Sequence, residues 1–463
     1  MNYQRRESNM NEEKLSLTEG IVWKKLIRFA IPIFLGNLFQ QMYNAVDSLV
    51  VGNFCGNEAL AAVSSSMSLQ QLFIGFFQGA FIGASVLISR SFGAKDREGM
   101  DKAIHTTVVF ALVMGVLLTI LGVSFTPTIL RWMGTPENVM PNSVTYFRIY
   151  CMGLLGMVLY NTTNGIFNAL GDSKHPLYYL IISSVTNAVL DVIFVGGLDM
   201  GVAGAALATT IGQFLSAILG LVHLMSGRFV VQIKLSKLRV YPEVLKQIIT
   251  LGLPSGVQNS VNSMANLVVQ ANINAFGDLA MGGCGSYSKL QGFVFVPVLS
   301  MALALTTYVG QNMGANKPER VKEGIRQGMM ISVTMAEVLG VILFIFAPQL
   351  VGLFSRDPAV VAYGIQQARL ETLFYFLLAI THACAGALRG AGKTLIPMSV
   401  ILSVWCAFRV IYIEGMVRMI TDIRVVFSAY PVTWAISSFI LLWIIKRQNW
   451  EQMCQKMTKK LEK

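Results

Sequence analysis

The chain has 463 residues, with 36 Lys plus Arg against 24 Asp plus Glu and a formal net charge of +12. Charged residues make up 13% and hydrophobic residues 54%, at a mean hydropathy of +0.58, whereas soluble globular chains are about 25% charged. That balance excludes a soluble enzyme and a disordered chain, and it leaves too little polar sequence for the water-facing basic surface of a nucleic-acid-binding protein.

Taken in chain order, residues 1–20 are polar and read as a cytoplasmic tail, with Ser16 and Glu19 at capping-box spacing before Ile21. The first apolar stretch is too long for the core of a secretory signal, so no cleaved leader is expected. Twelve spans follow, at roughly 22–53, 57–89, 104–130, 143–170, 176–196, 203–226, 244–276, 280–311, 326–347, 360–388, 395–416 and 423–446. Residues 59–89 and 247–277 are each 31 residues without a charge. A β-barrel would show segments of about 10 residues alternating in polarity, and the sequence has none. Lys and Arg divide 28 to 4 between the loops of the two sides, which predicts a multi-pass protein with both termini in the cytoplasm. The six Cys are scattered without a Cys-x-x-Cys, so neither a disulfide framework nor a zinc site is indicated.

The chain repeats itself. Arg90-Ser-Phe-Gly-Ala-Lys95 recurs as Gln311-Asn-Met-Gly-Ala-Asn316, and the same shift of 221 carries Arg148 onto Arg369, Gly171 onto Gly392 and Pro176 onto Pro397. Pro32 maps onto Pro254 at 222. Six spans per copy is an even number, so both copies enter the membrane from the same side. The expected fold is an all-α membrane protein of twelve transmembrane helices, arranged as two six-helix bundles related by a pseudo-two-fold axis along the membrane normal. The expected parts are a tail at 1–20, an N-lobe at 21–226, a linker at 227–240, a C-lobe at 241–446 and a basic tail at 447–463.

An ionisable side chain at bilayer depth costs roughly 2.5–3.5 kcal/mol on insertion scales, so each one needs a reason. Asp47 in span one, Asp191 in span five and Thr209 in span six all fall roughly 8–10 Å below the outer surface, at about 1.5 Å per residue. Asn187 shares a helix face with Asp191. Two carboxylates, an amide and a hydroxyl at one level suit a hard cation such as Na⁺, and two nearby carboxylates equally suit a shared proton. The shift of 221 takes Asp191 to Tyr412 and Asn187 to Phe408, and a shift of 222 takes Asp47 to Val269, so coupling is expected to be asymmetric. Of the C-lobe candidates Glu337, Glu371 and Glu414, Glu371 lies two residues from Arg369 and Glu414 near a span end, and they are read as locally paired or interfacial. Arg409 and Lys289 are read as partners of buried carboxylates or as snorkelling groups. Pro32 and Pro254 interrupt the first helix of each half, and Pro32 is read as a hinge for span one.

Leu17-Thr-Glu-Gly, Pro32, Asp47-Ser-Leu-Val-Val-Gly52, Gly93-Ala94, Gly201-Val-Ala-Gly-Ala-Ala-Leu-Ala-Thr209, Gly310-Gln-Asn-Met-Gly-Ala315 and Arg389-Gly390 together resemble the multidrug and toxic compound extrusion (MATE) family, over nearly all of residues 15–446. The resemblance implies a cation-coupled antiporter, with Na⁺ or H⁺ moving inward while amphipathic organic cations move outward. It also implies a site at Asp47, Asn187, Asp191 and Thr209, and it adds Gln40, Tyr146 and Asn164 as network or cavity members. The chain is then a monomer in the plasma membrane, not an enzyme, with no cofactor beyond the coupling ion. The alternative is a lipid-linked oligosaccharide flippase of related architecture, which calls for a more cationic cavity. Ala387–Thr394 fits a permissive phosphate-loop pattern but leaves a span where a strand is required, so ATP binding is rejected. The four His show no metal-ligand spacing, and no Ser/His/Asp set shares one depth.

Overall fold

The computed structural model describes residues 13, 15–43, 50, 74–79, 81–132, 134–227 and 229–458. These form helices α1 (Val22–Gly93), α2 (Arg97–Trp132), α3 (Met140–Met152), α4 (Leu154–Ala169), α5 (Lys174–Asp191), α6 (Gly201–Met225), α7 (Pro242–Asn274) and α8 (Asp278–Gly314). Then come α9 (Pro318–Ile345), α10 (Ala347–Gly352), α11 (Pro358–Glu371), α12 (Tyr375–Gly390), α13 (Leu395–Ile401), α14 (Arg409–Met419), α15 (Ile423–Lys446) and α16 (Trp450–Leu461). The boundary between the first two expected spans, 22–53 and 57–89, and the side chain of Asp47 lie outside the described residues.

Among the described residues nine helices are long and apolar enough to cross a membrane, ten when the pair α3–α4, bent by 45°, is one span. The two expected spans not in that set are the first of each half, α7 and the leading part of α1, and both are rich in Asn and Gln. The described residues contain no strand, and the all-helical fold matches the expectation.

The repeat is written into the backbone. Lys95 and Asn316, 221 apart, both take the left-handed conformation at φ 58° and 53°, and so do Gly171 and Gly392 at 86° and 69°. The same bonds close each turn: Asp96 N–H donates to Ser91 O and Lys317 N–H to Asn312 O, both at 2.9 Å. This is the pattern of a helix ended by one left-handed residue. The break at Gly153, between α3 and α4, recurs after the same shift as a 3₁₀ turn at Thr372–Phe374 between α11 and α12.

Two compact units emerge. One holds Leu35–Gly252 and the other Leu17–Phe34 with Leu253–Lys463. In the first, α6 packs against α3, α4 and α5, and α2 against α3 and α4. The connection after α6 is docked on α2: Lys234 N–H donates to His105 Nε2 and Tyr241 N–H to Thr106 Oγ1, each at 3.2 Å, and Lys237 pairs with Asp101 at 3.1 Å. In the second unit α8 and α12 form the centre, flanked by α9, α11 and α15. The segment at 17–20 is fastened there: Leu17 N–H donates to Gln311 Oε1 at 2.9 Å, Lys317 Nζ to Thr18 O at 3.0 Å and Arg320 Nη1 to Gly20 O at 2.9 Å. Helix α15 opens on Asp422, which accepts from Arg424 N at 2.9 Å, and the Arg424 guanidinium holds its carboxyl below the usual carboxylate range.

Candidate functional site

Asp191 is the last residue of α5, Asn187 lies one turn earlier on the same face, and the chain then widens into a π turn at Val192–Gly197. Both side chains are buried, at 0% and 1% exposure. Burial follows from α6, whose Gly204, Ala208, Gly212, Ser216 and Gly220 set a small residue every fourth position and let a neighbouring backbone come close. A Cβ on Gly204 would meet Phe194 Cβ at 3.0 Å, and one on Gly212 would meet Asn187 Cβ at 3.3 Å. Asp191 and Thr209 lie between those two contacts, so the structure brings Asn187, Asp191 and Thr209 to one stretch of the α5–α6 seam.

The Oδ1 and Nδ2 atoms of Asn187 and the Oγ1 of buried Thr209 have no hydrogen-bond partner among the described residues. Leaving such atoms unbonded costs about 1–3 kcal/mol each, which a bound cation or water would relieve. Tyr146 joins them: it is buried and packs with Val195, one turn past Asp191, and with Ala205, one turn before Thr209. Asn164 does not. It lies five residues before the end of α4, at the end of the unit that carries the 171–174 turn, and its Oδ1 accepts from Asn168 Nδ2 at 2.7 Å. Gln40 is half-buried and Pro32 buried, both on α1.

The second unit holds a polar nest that the sequence reading misjudged. Glu371 is not paired with Arg369. Two residues apart on a helix point some 200° apart, and Arg369 is exposed while Glu371 is fully buried. Its carboxylate accepts from Gln367 Nε2 and Gln291 Nε2, each at 2.8 Å, and from Tyr287 OH at 3.2 Å; Tyr287 OH also meets Tyr375 OH at 2.6 Å. All of these donors are neutral. Tyr287, Gln291, Gln367 and Tyr375 were missed, although Gln367, Glu371 and Tyr375 stand four apart on one face, as Tyr287 and Gln291 do. The repeat counterpart of Glu371 is Tyr150, as that of Asp191 is Tyr412. Each half therefore sets a tyrosine where the other has its buried acid.

Arg409 does not snorkel and forms no ion pair within 4 Å among the described residues, but its charge acts on the buried Glu371 carboxyl. It is buried, donates through Nη2 to Thr433 Oγ1 at 2.9 Å, and lies over the rings of Tyr430 and Trp405 at 4.6 and 5.3 Å. Lys289 is exposed over the Phe354 ring. Glu414 is exposed and reaches Arg418 at 3.6 Å, as expected for an interfacial pair. Half-buried Glu337 accepts from Phe376 N–H at 3.2 Å, satisfying a donor at the start of α12.

A family model described as MatE matches residues 32–193 and again 254–413. The probable multidrug resistance protein YoeA of Bacillus subtilis (strain 168) is 29% identical over 430 residues, 91% of this chain and 92% of its own. The probable multidrug resistance protein NorM of Thermotoga maritima is 27% identical over 394 residues, 83% of each chain. Among solved structures, the crystal structure of MATE in complex with MaL6 is 25% identical, with a TM-score of 0.88 over 96% of this chain and 99% of that one. An outward-facing MATE family transporter of the MOP superfamily is likewise 25% identical, with a TM-score of 0.87 over 96% of this chain and 98% of its own.

Proposed function

The chain belongs to the MatE family, whose members are transporters rather than enzymes, and on that premise we propose that it is a multidrug efflux antiporter driven by Na⁺ or H⁺. The similarity to YoeA and NorM supports export of drug-like compounds. The flippase alternative draws no support from these relatives. The coupling ion binds at Asp47, Asn187, Asp191 and Thr209, and amphipathic organic cations travel the other way. The observation that carries this reading is the buried α5–α6 seam, where an acid shares one stretch with an amide and a hydroxyl whose polar atoms have no hydrogen-bond partner among the described residues. The protein works as a monomer in the plasma membrane, with both termini in the cytoplasm on the strength of the Lys and Arg distribution. Proteoliposomes given a Na⁺ or a H⁺ gradient, one at a time, and a fluorescent organic cation test the reading; no dye movement under either gradient would sink it.

Coupling requires that ion and drug favour different conformations. Pro32 supplies a weak point on α1, because a mid-helix proline removes one backbone bond, and the border between the two units falls at Phe34/Leu35. Pro32→Ala is expected to lower transport several-fold while leaving ion binding intact, read as the ion-dependent rise in thermal stability; unchanged transport would remove the hinge.

Glu371 offers a second coupling group, favoured by its full burial and by neutral hydrogen-bond donors, with the Arg409 charge acting on it from beyond hydrogen-bond distance. Glu371→Gln keeps the shape of the nest and removes the ionisable group. Transport should fall about tenfold if Glu371 carries an ion, a coupling loss within the usual range. Wild-type transport with normal stability would make Glu371 a structural hydrogen-bond acceptor.

A further inference from the structure

Residues 247–277 hold no charge, yet helix α7 is crowded with amides. Asn259, Ser263, Asn266, Gln270 and Asn274 follow one another at steps of three or four residues, so they share one face. The last four are exposed. Gln270 Nε2 donates to Asn274 Oδ1 at 2.8 Å, so the row is partly linked along the helix. One turn from both Ser263 and Gln270 on the same exposed face lies Leu267, at 63% exposure. At the row's other border Asn262 has a buried Oδ1 with no hydrogen-bond partner among the described residues.

Facing this row to lipid would leave side-chain amides unbonded in hydrocarbon, a free-energy cost that nothing in an uncharged helix offsets. The row therefore meets water or a solute. The internal repeat separates it from ion coupling. At a shift of 222, Asn259 aligns with Asn37, Met264 with Met42 and Asn266 with Asn44, while Val269 aligns with Asp47. Asn259, Asn266 and Met264 persist in both copies, whereas Gln270 and Asn274 fall on Ser48 and Gly52 and the acid is absent from the second copy. Met42 is also exposed, at 55%. An amide offers both donor and acceptor, so it reads hydrogen-bonding groups of either kind and has no preference for positive charge. The adjacent Leu267 is the apolar contact.

We propose that the exposed face of α7 formed by Ser263, Asn266, Gln270 and Asn274 beside Leu267 is a substrate-recognition surface for amphipathic solutes whose polar edge is uncharged, bearing amide, carbonyl or hydroxyl groups next to an aromatic or aliphatic body. It rests on the exporter reading above and broadens the substrate class, because a solute recognised here needs no positive charge.

The test compares two probes in proteoliposomes of the full chain: a fluorescent organic cation, and radiolabelled chloramphenicol, a neutral aromatic amide with two hydroxyls. The wild type is set against Asn266→Leu/Gln270→Leu and against Asn266→Gln, which retains the amide. The expected result is gradient-driven movement of both probes by the wild type. In the leucine variant, chloramphenicol transport and binding fall about tenfold or more, the worth of one or two lost hydrogen bonds. Cation transport stays within about threefold, less than the typical worth of one hydrogen bond, and Asn266→Gln recovers chloramphenicol. A wild type that moves the cation but not chloramphenicol overturns the proposal and leaves the exporter reading standing. So does a leucine variant that loses both probes equally or neither. A wild type that moves no probe under any gradient removes the exporter reading and the proposal with it.

Discussion

Proteoliposomes carrying Asp191→Asn should fail to move an organic cation against a gradient that the wild type exploits. The carboxylate and the carboxamide have the same shape, so the close approach of α5 to Gly212 is undisturbed. Stability should hold or rise, because an ionisable group at bilayer depth carries roughly 2.5–3.5 kcal/mol of insertion cost that the amide avoids. Transport behaves otherwise. Coupling free energies of about 3 kcal/mol correspond to roughly a hundredfold in rate or affinity, so the variant should sink to the level of empty liposomes. Thr209→Val and Asn187→Leu, which each remove one polar ligand and keep Asp191, should show intermediate losses. A folded Asp191→Asn protein with wild-type dye movement would move the coupling site elsewhere. A loss confined to one gradient names the ion.

The parts of this molecule that depend on period and count were legible in the chain. Apolar length marked the spans, and the repeat at 221 anticipated turns whose backbone bonds and left-handed residues do coincide, down to Lys95 and Asn316. The seam around Asp191 was legible because depth can be counted along a helix and because the small residues of α6 recur every fourth position. Glu371 was misread for the opposite reason. Proximity in sequence to Arg369 suggests proximity in space, whereas on a helix a step of two turns the side chains to opposite sides. Its partners Tyr287 and Gln291 come from α8, about eighty residues away, a distance that no local pattern spans. Arg409, expected beside a buried carboxylate or at the interface, is held by two aromatic faces and a threonine hydroxyl, with its charge acting on Glu371.

Gly386→Val should strongly destabilise the second unit. On α12, Gly386 and Gly390 lie against Ala302 and Thr306 of α8, and a Cβ on either glycine would overlap the facing carbonyl oxygen, Ala302 O or Thr306 O. The overlapped atoms are backbone, so no side chain can swing aside, and the helices must separate. Thr306 Oγ1 bridges the seam by donating to Gly386 O at 3.0 Å, and separation would break that bond as well. Overpacking of this kind costs about 1–3 kcal/mol and sometimes more, so the fraction surviving a heating step in detergent should fall steeply, with Gly386→Ala between the wild type and valine. The contrast is Gly292→Ala on the same helix α8, where a Cβ meets nothing within 4 Å. Removing a mid-helix glycine there should add about 0.5–1 kcal/mol. The two changes are chemically identical in the alanine form, so opposite signs would show that the α8–α12 approach, and not glycine content, sets stability. The same approach carries function, because α8 supplies Tyr287 and Gln291 to Glu371 while α12 supplies Tyr375. A Gly386→Ala protein should therefore lose any contribution of Glu371 to transport before it unfolds. Equal stability of the Gly386→Val variant and the wild type would mean that the two helices are not in backbone contact.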